Sequence, residues 1–212
     1  MIRKIFSTSI LGIMSMFVVL TTSCSEDFEQ FEDFDLELYD YQLSTLATRS
    51  IGMGSENPII FPSASEIIKD NSFKQKAMKA WQNTLASLTD NSRREWGFVV
   101  YYKNGKLDFG PITSGPITTG CSETSASFSP TYDTSRLNEI CAVLHTHTPV
   151  PKCCQGCKRK TGASDSDEIY SKKKGWPIIA YDFSSEYIIY KEDLSKEVPQ
   201  FTYRGVSQRR AI

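Results

Sequence analysis

Apolar positions along the chain recur with two different periods. Phe73, Ala77, Trp81, Leu85 and Leu88 are spaced by four, four, four and three residues, which places them on one face of a helix. Ser72 can cap that helix, predicted over 73–89. Just before it, Ser63 and Glu66 fit a capping box that opens a short helix running through Lys69. The pattern then changes. Gly97–Tyr102 (GFVVYY) is β-branched and aromatic, as in a strand, and Asn104-Gly105 is a two-residue hairpin signal returning into Leu107–Phe109. Residues 110–134, with the near-repeat GPIT-S-GPIT, read as loop or irregular strand. Glu139–His147 (EICAVLHTH) is a second apolar strand. Trp176–Tyr181 and Tyr187–Lys191 form a final hairpin around Asp182-Phe183-Ser184. Helix, hairpin, strand, short helix and hairpin predict one α+β domain over residues 63–204, followed by a tail over 205–212.

The N-terminus has another character. Arg3 and Lys4 precede an apolar run of 11 residues, Ile10–Leu20. A bilayer span needs roughly 20 residues, so the run has the size of a signal-peptide core instead. Thr21, Thr22 and Ser23 lead into Cys24, and Leu-Thr-Thr-Ser-Cys resembles a bacterial lipobox. That resemblance implies a signal over 1–23, cleavage before Cys24, and acylation there. Several acyl chains on one residue anchor a protein stably, where one chain is marginal.

Residues 26–40 hold eight acids and no base, while 41–212 hold 22 of the 24 bases and 17 of the 25 acids. The net charge of −1 is therefore a cancellation between an acidic leader and a basic remainder. Residues 24–62 read as a solvated acidic tether and linker. Cys-Ser-Glu-Asp resembles the acidic signal that carries some lipoproteins to the outer cell surface, so an outer-membrane lipoprotein exposed on the cell is expected. A total charge so near zero argues against a nucleic-acid partner bound by bulk charge. With 40% hydrophobic and 12% aromatic residues, a packed core is within reach.

The chain has only two histidines, so any imidazole chemistry uses His145 and His147. They stand at i and i+2 at the end of an apolar strand and face the same way, with Thr146 on the other side. Two imidazoles on one side begin a zinc site; a catalytic site needs a third ligand and an open position for water. Ser164 can open a helix that brings Asp167 one turn along the same face. Upstream, Glu95 sits just before the first core strand.

Glu95-Trp96-Gly97, His145-Thr146-His147-Thr148-Pro149 and Ser164 to Asp167, in this order, resemble the JAMM (MPN+) zinc metalloproteases, more narrowly the JAB-like domains of bacterial secreted proteins. The resemblance covers about residues 72–192. It implies a mixed β-sheet flanked by a long N-terminal helix and by a short helix after the His-x-His strand. It also implies Zn2+ held by His145, His147 and Asp167, Glu95 as general base, Ser164 stabilising the tetrahedral intermediate, and a peptide or protein substrate cleaved at a peptide or isopeptide bond. One departure is clear: residues 148–163 separate His147 from Ser164 by more than the family's usual spacing. That insertion would border the site, and Asp165 is the fallback ligand. The alternative function is an inactive JAB-like module that binds at the cell surface without catalysis.

The insertion carries Cys153, Cys154 and Cys157 and the basic run Lys158–Lys160. Outside a reducing cytosol, thiols pair readily. One bridge within 153–157, or from there to Cys121, is expected, with Cys141 a buried thiol in its strand. A second metal on Cys153, Cys154 and Cys157 is the rival reading. Lys158–Lys160 and Lys172–Lys174 flank the Ser-x-x-Asp segment and read as a solvated basic surface, or as a surface favouring an acidic substrate. Protease shaving of intact cells is expected to remove the protein, and Cys24→Ala is expected to move it from the membrane fraction to the soluble one.

Overall fold

Asp70, not Ser72, begins the long helix. Its carboxylate accepts from the Phe73 amide at 2.8 Å, and the helix, α2, runs Asn71–Ala86 with Ser87 as C-cap. An Asp accepts from a free amide at a helix start as well as Ser does, and its charge also suits the positive end of the helix dipole. The shorter helix α1, Ala64–Ile67, carries the expected capping box: Ser63 N donates to Glu66 Oε2 at 2.7 Å, and Glu66 N to Ser63 Oγ at 3.3 Å. These elements come from a computed structural model that describes residues 58–120, 126–149, 153, 160–184 and 198–211. The signal segment, Cys24, the acidic tether and the expected strand at 187–191 lie outside the described residues.

The described part is mixed α+β. Strands β1 (Ser92–Arg93), β2 (Trp96–Lys103), β3 (Lys106–Phe109), β4 (Thr113–Ser114) and β5 (Thr118–Thr119) come first. A 3-10 helix (Thr134–Glu139) leads into β6 (Ile140–Thr146). Helix α3 (Asp165–Lys174), β7 (Ile178–Asp182) and β8 (Gln200–Arg204) follow. The main sheet has the order β3-β2-β6-β7-β8, with β4 also on β2, while β1 and β5 form a separate small ribbon. β2 and β3 make the predicted hairpin. Asn104 and Gly105 both take positive φ, 52° and 77°, the combination a tight hairpin turn needs and glycine reaches without strain. β6 and β7 are parallel; every other pairing is antiparallel. The antiparallel partner of β7 is β8, where the sequence pattern expected a return over 187–191.

Alternation along the strands gives the sheet two apolar faces. Phe98, Val100, Ala142, Leu144, Ile179 and Tyr181 meet Phe73, Ala77 and Trp81 of α2. Val99, Tyr101, Ile140, Val143, Trp176 and Ile178 form the opposite face with Phe128, Tyr132 and Tyr170. Both faces being covered explains why β2, β6 and β7 read as continuous apolar runs. The C-terminal residues, set apart as a tail by the sequence pattern, pack onto the domain. Ala64 N donates to Ser207 O at 2.7 Å, Gln208 Nε2 donates to Phe61 O, and the Arg209 guanidinium donates to Leu137 O and Ile140 O while covering the Phe61 ring. Phe61 itself, assigned to the linker by sequence, is buried.

Phe73 is wholly buried, with its ring 5.8 Å from that of Phe98 and 5.4 Å from that of Phe201. Phe73→Ala is expected to cost about 3–5 kcal/mol in urea unfolding, whereas Met78→Ala, on the exposed side of the same helix, should stay within about 0.5 kcal/mol.

Candidate metal centre

Glu95 is placed by the residue that follows it. Trp96 N donates to Thr146 Oγ1 at 3.0 Å, the same hydroxyl lies 3.1 Å from Trp96 O, and Thr84 Oγ1 of α2 is 2.5 Å away. Thr146 points to the α2 face because its neighbours His145 and His147 point to the other. This hydroxyl cluster therefore fixes the start of β2 from behind the site. The register puts Gly97 opposite His145, and Glu95 reaches His145 with Oε2 at 3.1 Å from Nδ1. Gly115 N donates to Glu95 O at 2.8 Å and holds the other side of the turn.

Gly97 is required by space. A Cβ there would stand 2.2 Å from Leu144 O and 2.7 Å from the Phe128 ring. In its place the Phe128 ring lies almost parallel to the His145 imidazole, at a tilt of 16° with centroids 6.1 Å apart, and walls the site on one side.

Helix α3 supplies the third group. Ser164 is its N-cap: Ser164 Oγ accepts from Asp167 N at 3.2 Å, and Asp167 Oδ2 accepts from Ser164 N at 2.6 Å and from Ser164 Oγ at 2.8 Å. This leaves Asp167 facing both imidazoles, with Oδ1 at 3.0 Å from His145 Nε2 and Oδ2 at 3.5 Å from His147 Nε2. Asp165, the fallback ligand, points away: it is exposed and pairs with Lys160 and Arg204. A third carboxyl group joins from β7, where Asp182 Oδ2 lies 3.4 Å from His147 Nδ1. Sequence reasoning placed Asp182 in a turn and missed it. An acid closing an otherwise apolar strand was the available signal, but its meaning depends on β7 lying parallel to β6.

All five sequence-predicted site residues, Glu95, His145, His147, Ser164 and Asp167, thus meet at one end of the sheet. Ser164 is occupied differently from what the family resemblance implies, because its hydroxyl proton goes to Asp167 and not into open space. Glu95, His145 and Asp182 are buried, and Asp167 is only 9% exposed. Burial pushes the His145 imidazolium down, but Asp167 and Glu95 outweigh it and hold the group well above the ordinary imidazole value. For His147, burial is likewise outweighed, by Asp167 and Asp182, and its pKa rises to about 9. Burial alone would raise Asp167; the two imidazoles hold it far below the usual carboxylate range.

Donor atoms of Glu95, His145 and His147 lie within 4.8 Å of one another, a group that can geometrically hold a metal ion. One further observation tests the fit. His145 Nε2 is buried and has no hydrogen-bond partner among the described residues, since Asp167 is close but not aligned to accept from it. Buried ring nitrogens are rarely left so. A nitrogen in contact with a carboxylate at 3.0 Å but out of line for a hydrogen bond is an arrangement that a shared cation also fits. Exchanging two imidazole protons for one divalent cation also leaves the formal charge of the cluster unchanged.

Cys153 is disulfide-bonded, which removes one of the three thiols the rival metal reading requires; Cys121, Cys154 and Cys157 lie outside the described residues. Cys141 is a free buried thiol that burial pushes up to about 12, so it is inert at neutral pH. The basic residues near α3 are partly neutralised locally, Lys172 by Glu168 and Lys160 by Asp165. Among the described residues, no helix is long and apolar enough to cross a membrane. Compared with protein-family models, curated proteins and solved structures, the chain matches none.

The metal-free protein has a defined pH response. The folded His147 pKa of about 9 stands above the ordinary imidazole value of 6.5, so the folded state binds this proton more tightly. The resulting stabilisation is complete below pH 6.5 and is lost as pH rises through about 9. Thermal melts of chelator-treated protein are expected to show Tm falling across that window, with a smaller fall in His147→Gln.

Proposed function

We propose that the chain is a membrane-anchored zinc metallopeptidase of the JAMM type that hydrolyses a peptide or isopeptide bond. The observation that carries this reading is the buried His145 Nε2, which lacks a hydrogen-bond partner and faces Asp167 beside His147. Nitrogen and carboxylate donors suit Zn2+, and two imidazoles with one carboxylate leave a fourth position open. The ring orientations favour Asp167 as the third ligand. Each imidazole turns Nε2 toward Asp167, while its Nδ1 faces another carboxylate, Glu95 for His145 and Asp182 for His147. When bound, zinc supplies a Lewis acid for the scissile carbonyl and lowers the pKa of water to about 7.

The chain's own groups do the rest. Glu95 takes a proton from the attacking water and returns it to the leaving nitrogen, so the carboxylate is regenerated at the end of the cycle. Phe128 limits solvent on the His145 side. The Ser164 amide and hydroxyl hold the Asp167 carboxylate in place. The lipid on Cys24 would keep this domain at the membrane surface behind an acidic tether.

A second reading, a surface binding module without hydrolysis, is favoured by one specific observation: the Ser164 hydroxyl already donates to Asp167, so no free donor from it waits for an oxyanion. Elemental analysis and a peptide library separate the readings. The purified chain is expected to hold about one zinc, and the His145→Ala/His147→Ala double variant none. Glu95→Gln should keep the zinc and lose cleavage by about 10²–10⁴-fold. Zinc without any Glu95-dependent cleavage would favour the binding module. Loss of zinc in Glu95→Gln would give Glu95 a part in holding the metal, as a ligand or as the partner of His145 Nδ1.

A further inference from the structure

We propose that Asp182 is a positioning residue for His147: it holds the Nδ1 side of the ring so that the Nε2 lone pair is presented to the metal. The inference rests on the zinc reading above and extends it to a residue outside the family motif.

The parallel pairing of β6 and β7 sets His145 beside Ala180 and Thr146 beside Tyr181, so the next residues, His147 and Asp182, stand side by side at the end of this strand pair. The His147 backbone amide donates to Tyr181 O at 3.4 Å, which continues the ladder to that point. From this placement Asp182 Oδ2 stands 3.4 Å from His147 Nδ1, and its side chain is 1% exposed. A charged carboxylate buried this far costs several kcal/mol unless it is matched. Gly162 N donates to the same Oδ2 at 3.0 Å, so the carboxylate is held between β7 and the residues that lead into α3. It thus touches both ends of the 148–163 insertion, His147 before it and Gly162 just ahead of the Ser164 cap.

An imidazole can bind a cation through only one nitrogen at a time, and the hydrogen bond at the other nitrogen selects which. A carboxylate behind a metal-bound imidazole fixes the ring and its tautomer, and its removal commonly weakens metal binding 10–100-fold. His145 has the same support from Glu95. The two carboxylates differ in duty, because only Asp182 is tied to the backbone ahead of the Ser164 cap.

The test compares the full chain with Asp182→Ala and Asp182→Asn in zinc competition against a chelator, and reads the 113Cd-loaded forms by coupling to histidine 15N. Asp182→Ala is expected to bind zinc about 10–100-fold more weakly. Asp182→Asn should lose less, because its amide oxygen can still accept from Nδ1 and from Gly162 N. The 113Cd coupling should fall on His147 Nε2 in the parent chain and divide between Nε2 and Nδ1 in Asp182→Ala, a change that general loosening of the fold does not produce. If Asp182→Ala does not fold, weaker zinc binding by Asp182→Asn with retained urea midpoint carries the same conclusion. Unchanged zinc affinity in both variants, with coupling confined to Nε2, overturns the inference and leaves the zinc site standing. A parent chain that takes up no zinc overturns both.

Discussion

Carboxylates buried against imidazoles at the open end of a parallel strand pair are the constraint around which this domain is organised. Glu95, Asp167 and Asp182 carry more negative charge than His145 and His147 can neutralise, in a volume nearly closed to water. Such a cluster is stable only when the charges are paired and the remaining lone pairs have donors. The fold supplies those donors from its backbone and caps: Ser164 N and Oγ for Asp167, and Gly162 N for Asp182. Three segments distant in sequence must therefore arrive together, which is a demand on topology more than on any one side chain.

The arrangement meets that demand through register. Thr146, between the two histidines, is turned to the opposite face, where its hydroxyl joins Thr84 of α2 to the backbone of Trp96. A shift of one residue between β2 and β6 would send the histidines to the α2 side and Thr146 into the site. The same shift would move the Gly97 gap away from the Phe128 ring that needs it. Helix packing, strand register and site geometry are thus one requirement expressed at three levels. Changes at Thr84, far from the carboxylates in sequence, act on Glu95 through a hydroxyl and a peptide group.

Much of this was legible in the residues. The apolar spacing from Phe73 to Trp81 located α2, Asn104-Gly105 located the turn, and the i, i+2 histidines at an apolar strand end located the site. These are local signals, each contained in one period or one turn. What stayed hidden was non-local. Asp182 looks like a turn residue until β7 is known to run parallel to β6. β8 alternates weakly because it lies at the sheet edge with most of its residues exposed. Phe128 and Arg209 lie outside the regular elements, and nothing in their own neighbourhoods announces the ring or the carbonyls they meet. Asp70 and Ser72 are both good cap acceptors two residues apart, and sequence spacing does not rank them.

The two functional readings divide on the position of one hydroxyl proton. Ser164 donates to a charged carboxylate, an interaction worth about 1.5–3 kcal/mol. An oxyanion would have to compete with it. Were Asp167 to hold a divalent cation, its carboxylate would hold the Ser164 hydroxyl less strongly, while the backbone amide of Ser164 would still orient it. The peptide nitrogen of Ser164 holds Asp167 independently of where its hydroxyl points. Metal occupancy by itself therefore does not tell the two readings apart; release of the Ser164 hydroxyl from Asp167 does. The sequence motif is the same in both readings, with identical residues in identical order; what differs is the group to which the Ser164 hydroxyl donates.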